Sequence, residues 1–223
     1  RPGLAVGREI ASAVGPLCGL RGRTADGLEL RLPTDEQLAT LIEVARAGIH
    51  PPEEMPFAFA WTDQPSPAFE REFLRYHWAA RANWRAEAWS LNLAVFLDGA
   101  PIGFQDLVAR DFAVLRSVGT GSWLAASHQG RGIGKAMRGA ALSLAFDGLG
   151  AEEATTEAFF DNRASAGVSR ALGYAENGIG RLGPRGLARQ TQRFRMTRTD
   201  WAARPRPPVE IIGLAACRDL FGG

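Results

Sequence analysis

Three closely spaced glycines between residues 129 and 135 form the stretch of this sequence best suited to ligand chemistry. The stretch reads Gln-Gly-Arg-Gly-Ile-Gly-Lys and directly follows an apolar run that predicts a strand. Beyond it, small and apolar residues recur every three or four positions, which predicts an amphipathic helix to about residue 147. A glycine loop that opens a helix presents unpaired N–H groups at the positive end of the helix dipole, and this geometry binds phosphate. The alternative is a turn that needs glycine for positive φ and binds nothing.

The two most familiar phosphate-binding patterns do not fit this loop. A Walker A motif requires Ser or Thr after Gly134-Lys135 and a glycine at position 129, but the sequence has Ala136 and Gln129 there. The dinucleotide fingerprint G-x-G-x-x-G also fails. Its third glycine would fall at Lys135 if the pattern began at Gly130, and at Met137 if it began at Gly132. The sequence therefore argues against a P-loop or Rossmann enzyme.

Length and composition limit the broad class of the protein. The chain has 223 residues and a net charge of +2, which predicts one domain of ordinary size and gives no basis for nucleic-acid binding. Its only lysine, Lys135, lies in the glycine loop. Cys18 and Cys217 are isolated and the three histidines are scattered, so a disulfide framework, a thiol nucleophile and a metal site are unsupported. No apolar run is long enough for a membrane span, and we expect a reducing cytoplasm.

Caps, turns and periodicity predict the order β-α-α-β-β-β-α-β-α-β-β. Thr34 and Gln37 form a capping box for the first helix, and residues 67–87 predict a second. Asp98-Gly99 predicts a hairpin turn, and residues 117–125 predict the strand that leads into the glycine loop. Meandering strands followed by β-α-β units imply an α+β fold, with a central mixed, twisted sheet and helices on both faces.

The same patterns divide the chain into three parts. Residues 1–26 show many glycines and no clear period, so we expect a loosely held arm. Residues 27–203 carry all the periodic segments and form the main domain. Residues 204–223 form a tail after a proline-rich linker, and its short strand over residues 209–214 is expected on an exposed sheet edge.

The glycine loop resembles the pyrophosphate-binding motif of the GNAT N-acyltransferases. That motif is [Gln/Arg]-x-x-Gly-x-[Gly/Ala], and residues 129–134 match it. Asn162 and Ser165, followed by Leu-Gly-Tyr at residues 172–174, resemble the family's N-x-x-S…LG-[FY] helix at the expected distance. The resemblance covers roughly residues 27–203 and implies the GNAT fold, whose order of elements is the one predicted above.

Further stretches narrow the resemblance. Gly-Ser-Trp-Leu at residues 121–124 and Arg-Thr-Asp-Trp at residues 198–201 are similar to the branch that acylates the N-termini of ribosomal proteins. The proline-rich stretch at residues 55–57 and the tail from Val209 are similar to a sub-branch in which some members use succinyl-CoA. The donor implied by the resemblance is therefore acetyl-CoA or succinyl-CoA.

The resemblance implies roles for particular residues in binding this co-substrate. Backbone N–H groups of the glycine loop would cradle the pyrophosphate of CoA, and these belong to Gln129, Gly130, Arg131, Gly132, Ile133 and Gly134. Side chains in place of Gly132 or Gly134 would block that approach. Lys135 is either a phosphate anchor, which its position favours, or a surface lysine. The N–H of Leu124 would polarise the thioester carbonyl, and Asn162 would contact the pantetheine arm.

Three side chains are candidates for the proton transfers. Ser169 stands where many family members have a tyrosine that protonates the leaving thiolate, so it is the expected acid and a CoA contact. Its alternative is a solvent-facing helix serine. The amine must also lose a proton, yet no acid occupies residues 117–125. Glu157 and Asp106 are the remaining strand acids near the predicted site, and each is a candidate base or a solvated or paired surface carboxylate, with water as a further proton acceptor.

The function implied is an acyl-CoA-dependent N-acyltransferase that moves an acetyl or succinyl group directly to a primary amine, with no metal and no covalent enzyme intermediate. Protein N-termini, lysine, polyamines and antibiotic amines all stay open as acceptors. The alternatives are a CoA-binding regulatory module without turnover and a binder of nucleotide phosphates. We expect a cytoplasmic protein that binds neither nucleic acid nor membrane, with a homodimer as an open possibility.

Overall fold

The computed structural model describes residues 15–222, and ten strands in this part of the chain form one sheet. In chain order they are β1 (Arg21–Thr24), β2 (Glu29–Arg31), β3 (Ala88–Leu97), β4 (Ala100–Arg110), β5 (Ser117–Gly119), β6 (Ser122–Leu124), β7 (Glu153–Phe159), β8 (Ala175–Leu182), β9 (Arg189–Thr197) and β10 (Val209–Ile212). Across the sheet the order is β10-β1-β2-β3-β4-β5-β7-β9-β8, and β6 pairs with β4.

Six α-helices are present in the same described residues. They are α1 (Asp35–Ala47), α2 (Ala68–Ala82), the short α3 (Phe112–Leu115), α4 (Ile133–Ser143), α5 (Arg163–Leu172) and the short α6 (Arg198–Ala202). The pairing of β5 with β7 is parallel and the other ladders are antiparallel, so the sheet is mixed. The predicted α+β class is confirmed.

The sheet buries a hydrophobic cluster on each face. On one side, here called the α1/α2 face, apolar side chains of α1 and α2 pack against Phe96, Phe104 and Trp123 of the sheet. On the other, the α4/α5 face, Met137 and Ala141 of α4 pack with the alternate strand residues. Because successive side chains on a strand point to opposite faces, β3 and β4 supply both clusters. The predicted helices on both faces are confirmed.

Local signals in the sequence set most of the element ends. Both hydrogen bonds of the Thr34–Gln37 capping box are present at the start of α1. Asp98 and Gly99 take positive φ in the β3–β4 turn. Gly173 ends α5 in the left-handed conformation, as predicted. The second helix is shorter than expected, because α2 ends at Ala82 instead of near residue 87.

The strand predicted over residues 117–125 is broken in two. β5 pairs in parallel with β7, and the Thr120 N–H still donates to the Thr155 carbonyl at 2.9 Å. Beyond that point β6 follows β4 and, within residues 15–222, forms no ladder with β7. The break lies at Gly121, whose N–H donates to the Asp106 carboxylate of β4. We call the resulting space between β6 and residues 157–159 of β7 the sheet gap.

Both ends of the described chain join the sheet. The prediction of a loosely held arm over residues 1–26 is wrong for residues 21–24, because these form β1. Residues 1–14 lie outside the described residues. The tail strand predicted on a sheet edge is confirmed, since β10 pairs antiparallel with β1. Phe221 then packs edge-on against Trp84 and Trp89, so the tail is anchored at both a strand and an aromatic cluster.

Candidate functional site

The glycine loop lies where β6 ends and α4 begins. Gly130 and Gly132 adopt φ of 72° and 81°, a conformation that favours glycine, and Gly132 is the N-cap of α4. A Cβ built on either glycine meets no atom within 4 Å. The loop backbone therefore faces open space, and a ligand can approach it without displacing protein atoms.

Five successive N–H groups of this loop are uncommitted. The N–H groups of Lys135 and Ala136 both donate to the Gly132 carbonyl at 3.1 Å. Within the described part of the chain, the N–H groups of residues 130–134 make no hydrogen bond of normal geometry to a protein acceptor. These groups lie at the positive end of the α4 dipole, so together they can bind an anion. We call them the N–H cradle.

Side chains around the cradle have different roles. Gln129 donates from Nε2 to the carbonyls of Ile49 at 2.7 Å and Leu124 at 2.8 Å, which ties the loop to the region after α1 and to β6. Arg131 and Lys135 are exposed, and neither makes a hydrogen bond or ion pair within residues 15–222. They are therefore available to an anionic ligand in the cradle.

Gly134 serves helix packing. A Cβ on Gly134 would lie 3.6 Å from Cγ2 of Val168, so its α-carbon faces α5. A substituent at Gly134 would therefore meet the neighbouring helix, and the expectation that a side chain here blocks a ligand stays a prediction. For Gly132, whose Cβ would enter open space, that expectation is consistent with the geometry.

The backbone of β6 directs one N–H group into the sheet gap. Ala125 donates to the Ile102 carbonyl and Asp106 donates to the Gly121 carbonyl, each at 2.9 Å. Because hydrogen-bonded and non-hydrogen-bonded pairs alternate in an antiparallel ladder, Leu124, opposite Gly103, turns its N–H away from β4. That N–H points to the side from which β7 has diverged, where it can donate to a ligand oxygen.

Asp106 lies on the α1/α2 face, where the gap begins. Its carboxylate accepts the Gly121 N–H, and a Cβ at Gly121 would come within 3.0 Å of Oδ2, so glycine is needed there. Burial raises the pKa of Asp106 to about 6, although the Gly121 N–H and the charge of Arg138 act to lower it. The side chain borders a cavity of about 510 Å³. Asp106 is thus a carboxylate whose basicity is well above that of an ordinary aspartate.

Glu157 borders the same cavity but is paired with its neighbours. Its Oε2 accepts the hydroxyl of Thr191 at 3.1 Å and lies 3.8 Å from Nε of Arg193, on the exposed side of the cavity. The structure therefore brings the two expected acids, Asp106 and Glu157, to one cavity and gives them different surroundings.

A second cavity extends the first along the α1/α2 face. It measures about 760 Å³, lies between α2 and strands β3 to β5, and shares Val108 and Gly119 with the first. Its walls include Tyr76, Asn83 and Leu115. We call the two cavities together the acceptor-side groove, since Asp106 lies at its inner end.

Ser169 and Asn162 make local contacts in α5. Ser169 is fully buried; its hydroxyl donates to the Ser165 carbonyl at 3.1 Å and accepts Nη1 of Arg138 at 2.9 Å. The interpretation of Ser169 as a solvent-facing serine is therefore wrong. Asn162 uses Oδ1 to accept the Ser165 N–H at 3.1 Å, which caps α5. Only its amide nitrogen is left for a ligand.

Arg138 is the site residue that sequence reasoning missed. It lies on α4, is 4% exposed, and donates to Ser169 and, through Nη2, to Ser122 of β6 at 3.1 Å. No carboxylate of the described residues lies within ion-pair distance of its guanidinium, whose pKa is lowered by burial. The available signal was an arginine four residues before buried Leu142, on the inner side of an otherwise apolar helix.

Two negative findings apply to residues 15–222 only. No helix there combines the length and apolar character that crossing a bilayer requires. Nor do three or more His, Cys, Asp or Glu side chains come together in an arrangement able to hold a metal ion.

Comparison with known proteins identifies both the domain and the fold. A family model described as the acetyltransferase (GNAT) domain matches residues 28–175. The structure of Mycobacterium smegmatis RimJ in complex with CoA-disulfide is similar over 91% of this chain and 94% of that chain, with 20% identity and a TM-score of 0.67. A chimera of the Vibrio cholerae spermidine N-acetyltransferase SpeG and hSSAT is similar over 79% and 99%, with 17% identity and a TM-score of 0.62. At these identities the structural likeness shows the fold alone.

Proposed function

Because the chain belongs to the GNAT acetyltransferase family, we propose that it transfers an acyl group from a CoA thioester directly to a primary amine. The observation that carries the proposal is the combination of the N–H cradle with the sheet gap. The cradle offers five uncommitted N–H groups to an anion, and the gap beside it receives the N–H of Leu124. An acyl-CoA carries both groups that such donors bind. Its pyrophosphate suits the N–H cradle, and its thioester carbonyl suits the N–H of Leu124.

The donor side of the site is assigned as follows. Residues 130–134 would hold the pyrophosphate, with the exposed side chains of Arg131 and Lys135 beside it. The amide nitrogen of Asn162 would meet the pantetheine arm. The Leu124 N–H would donate to the thioester oxygen and stabilise the negative charge that develops there. CoA supplies the activated acyl group; the protein supplies its binding and orientation.

Asp106 is proposed to accept the proton of the attacking amine. A pKa near 6 leaves the carboxylate ionised at neutral pH and places it closer to the working pH than an ordinary aspartate. Glu157, already paired with Thr191, would contribute to the charge of the acceptor-side groove. Water in that groove can carry the proton onwards to solvent.

The acyl group is proposed to be acetyl or succinyl. Arg193 borders the cavity with Asp106, so a succinyl carboxylate could pair with its guanidinium by competing with Glu157. Comparing kcat/KM for acetyl-CoA and succinyl-CoA decides between the two donors. A strong preference for acetyl-CoA would show that Arg193 does not select a succinyl donor.

Binding of CoA is tested with Gly132→Glu. The carboxylate would enter the open space in front of the cradle, where it repels phosphate, so we expect CoA affinity measured by calorimetry to fall at least about tenfold. Gly27→Glu is the matched control, because Gly27 also has positive φ and open surroundings but lies in the β1–β2 turn. Absence of CoA binding by the unmodified protein, or equal binding by Gly132→Glu, refutes the proposal.

Turnover is tested by measuring thiol release across a panel of peptide N-termini, lysine, polyamines and aminoglycosides. A CoA-binding module without turnover remains the second candidate, since the Ser169 hydroxyl already donates to Ser165 and is not directed at a leaving group. Tight CoA binding without amine-dependent thiol release would favour that module. If ATP and NAD do not displace bound CoA, the protein is not a general binder of nucleotide phosphates.

A cytoplasmic location and a homodimer complete the proposal. Both cysteines of the described residues are thiols and not disulfide-bonded, which suits a reducing compartment. The outer strand β8 leaves Ile179 58% exposed, so it offers an edge on which a second copy of the chain can pack. Cell fractionation and light scattering of the purified protein test these two points.

A further inference from the structure

Arg138 carries a positive charge into the protein interior without a direct counter-ion. Its guanidinium is held by two hydroxyls, those of Ser169 and Ser122, and its Nε has no hydrogen-bond partner in the described residues. Burying a charge costs free energy unless an opposite charge compensates it. Arg198, by contrast, is partly exposed to solvent and pairs with Glu152 at 3.0 Å.

Four polar groups surround the guanidinium. Ser122 of β6 and Ser169 of α5 bond to it directly. Asp106 of β4 and Tyr174, which follows α5, lie close enough to interact with its charge. Tyr174 is neutral, because burial raises its pKa, so Asp106 is the only anionic group among the four. Because Asp106 lies on the opposite face of the sheet, it compensates the charge of Arg138 only in part.

Asp106 and Arg138 flank the sheet gap from its two faces. Asp106 binds the N–H of Gly121 on the α1/α2 face, and Arg138 binds the hydroxyl of the next residue, Ser122, on the α4/α5 face. A negative group thus borders the acceptor-side groove, and a positive group borders the face that carries the cradle. This polarity matches acyl transfer, in which positive charge develops on the amine and negative charge on the sulfur.

We propose that Arg138 provides the positive charge that stabilises the departing CoA thiolate, with Ser169 holding its guanidinium and the hydroxyl of Ser122 donating towards the sulfur. This inference rests on the proposed function. In the reaction the amine lone pair forms the C–N bond, the C–S bond breaks, and its electron pair stays on sulfur as the thiolate. The amine proton passes to the Asp106 carboxylate and then to water, and CoA takes up a proton from solvent on release. Arg138 is therefore a positioning residue that keeps its charge throughout.

The proposal changes the role expected of Ser169. The guanidinium donates to the Ser169 oxygen and fixes it, while the hydroxyl proton stays with the Ser165 carbonyl. A serine held in this way fixes the guanidinium beside the gap and has no need to release its own proton. It follows that a serine can stand at this position without the acidity of a tyrosine.

The test measures the pKa of the CoA thiol in the binary complex, which requires no turnover. Thiolate formation is followed by ultraviolet absorbance over a pH titration of the protein with CoA, with an analogue lacking the sulfur as the blank. An opposite charge at short range lowers a pKa by about 1–3 units, so the bound thiol should titrate at least about one unit below the thiol of free CoA measured in the same way.

Arg138→Met removes the charge and keeps an apolar side chain of similar length. Replacement of a buried ion by an apolar residue is commonly neutral or stabilising, so this variant is expected to fold. Its bound thiol should titrate at or above the value of the free thiol. Arg138→Gln is a second uncharged variant that retains a donor for Ser169, and Arg138→Lys, which keeps the charge, should preserve most of the shift.

Arg198→Met is the matched control, since it removes a paired arginine away from the gap and should leave the thiol pKa as in the unmodified protein. A thiol pKa that is the same in the unmodified protein, Arg138→Met and Arg138→Gln overturns the inference and leaves the proposed function standing. Failure of the unmodified protein to bind CoA overturns the proposed function itself. The two failures are therefore distinguishable.

Discussion

Replacing Asp106 by asparagine is expected to make the folded protein more stable at neutral pH and less active. Burial raises the pKa of Asp106 from 3.8 to about 6, so ionisation of this carboxyl is less favourable in the folded protein than in the unfolded chain. Each pKa unit corresponds to about 1.4 kcal/mol, which sets an upper limit of about 3 kcal/mol on the cost at pH 7. Asparagine removes the charge and can still accept the Gly121 N–H, so we expect a gain of about 1–3 kcal/mol.

The pH dependence gives this prediction a distinctive sign. Between the unfolded pKa of 3.8 and the folded pKa of about 6, the folded protein keeps a proton that the unfolded chain has released. Stability contributed by this group is therefore highest at low pH and falls as the pH rises through that window. His77 acts in the opposite direction, because burial lowers its pKa from 6.5 to about 4. The contribution of Asp106 is therefore isolated by the difference in unfolding free energy between Asp106→Asn and the unmodified protein.

The assay is urea unfolding of both proteins between about pH 4 and pH 7.5. The difference in unfolding free energy should be close to zero at the acid end and reach its full value above about pH 6.5. In parallel, kcat/KM of Asp106→Asn should fall, and the rise in activity through about pH 6 should disappear. A variant that is less stable than the unmodified protein at pH 7, or a difference that does not change with pH, refutes the assignment of a raised pKa.

Two further variants test how the site is held together. Gln129→Ala deletes the hydrogen bonds to Ile49 and Leu124, so we expect a loss of about 1–3 kcal/mol in unfolding free energy and weaker CoA binding; unchanged affinity in calorimetry would contradict the role of Gln129. Gly121→Ala places a Cβ 3.0 Å from the Asp106 carboxylate, so kcat/KM should fall while CoA affinity stays the same. Wild-type activity of Gly121→Ala would show that the position of this carboxylate does not matter.

The features that the sequence predicted correctly are set by short-range chemistry. A capping box, as at Thr34, needs only residues three apart, and a two-residue turn such as Asp98-Gly99 needs only a tolerance for positive φ. The glycine loop could likewise be found before the fold was known, because its N–H groups are presented by local backbone geometry.

The features that sequence reasoning missed depend on contacts between distant residues. The break at Gly121 requires the carboxylate of Asp106, fifteen residues earlier in the chain. The environment of Arg138 combines hydroxyls from Ser122 and Ser169, which no helical pattern brings together. β1 has no alternation of apolar and polar residues and is a strand only because β2 and β10 pair with it on both sides. Tertiary pairing decides each of these cases.

The pairing of β10 with β1 has a consequence for the order of folding. Arg21 pairs with Ile212, so this edge of the sheet can close only after residue 212 has been synthesised. Until then β1 presents unpaired N–H and C=O groups to any neighbouring strand, including the same segment of another nascent chain. Contacts between residues this far apart in sequence also form slowly. Residues 209–212 therefore join the sheet late in folding, and their pairing with β1 removes an edge to which another chain could add a strand.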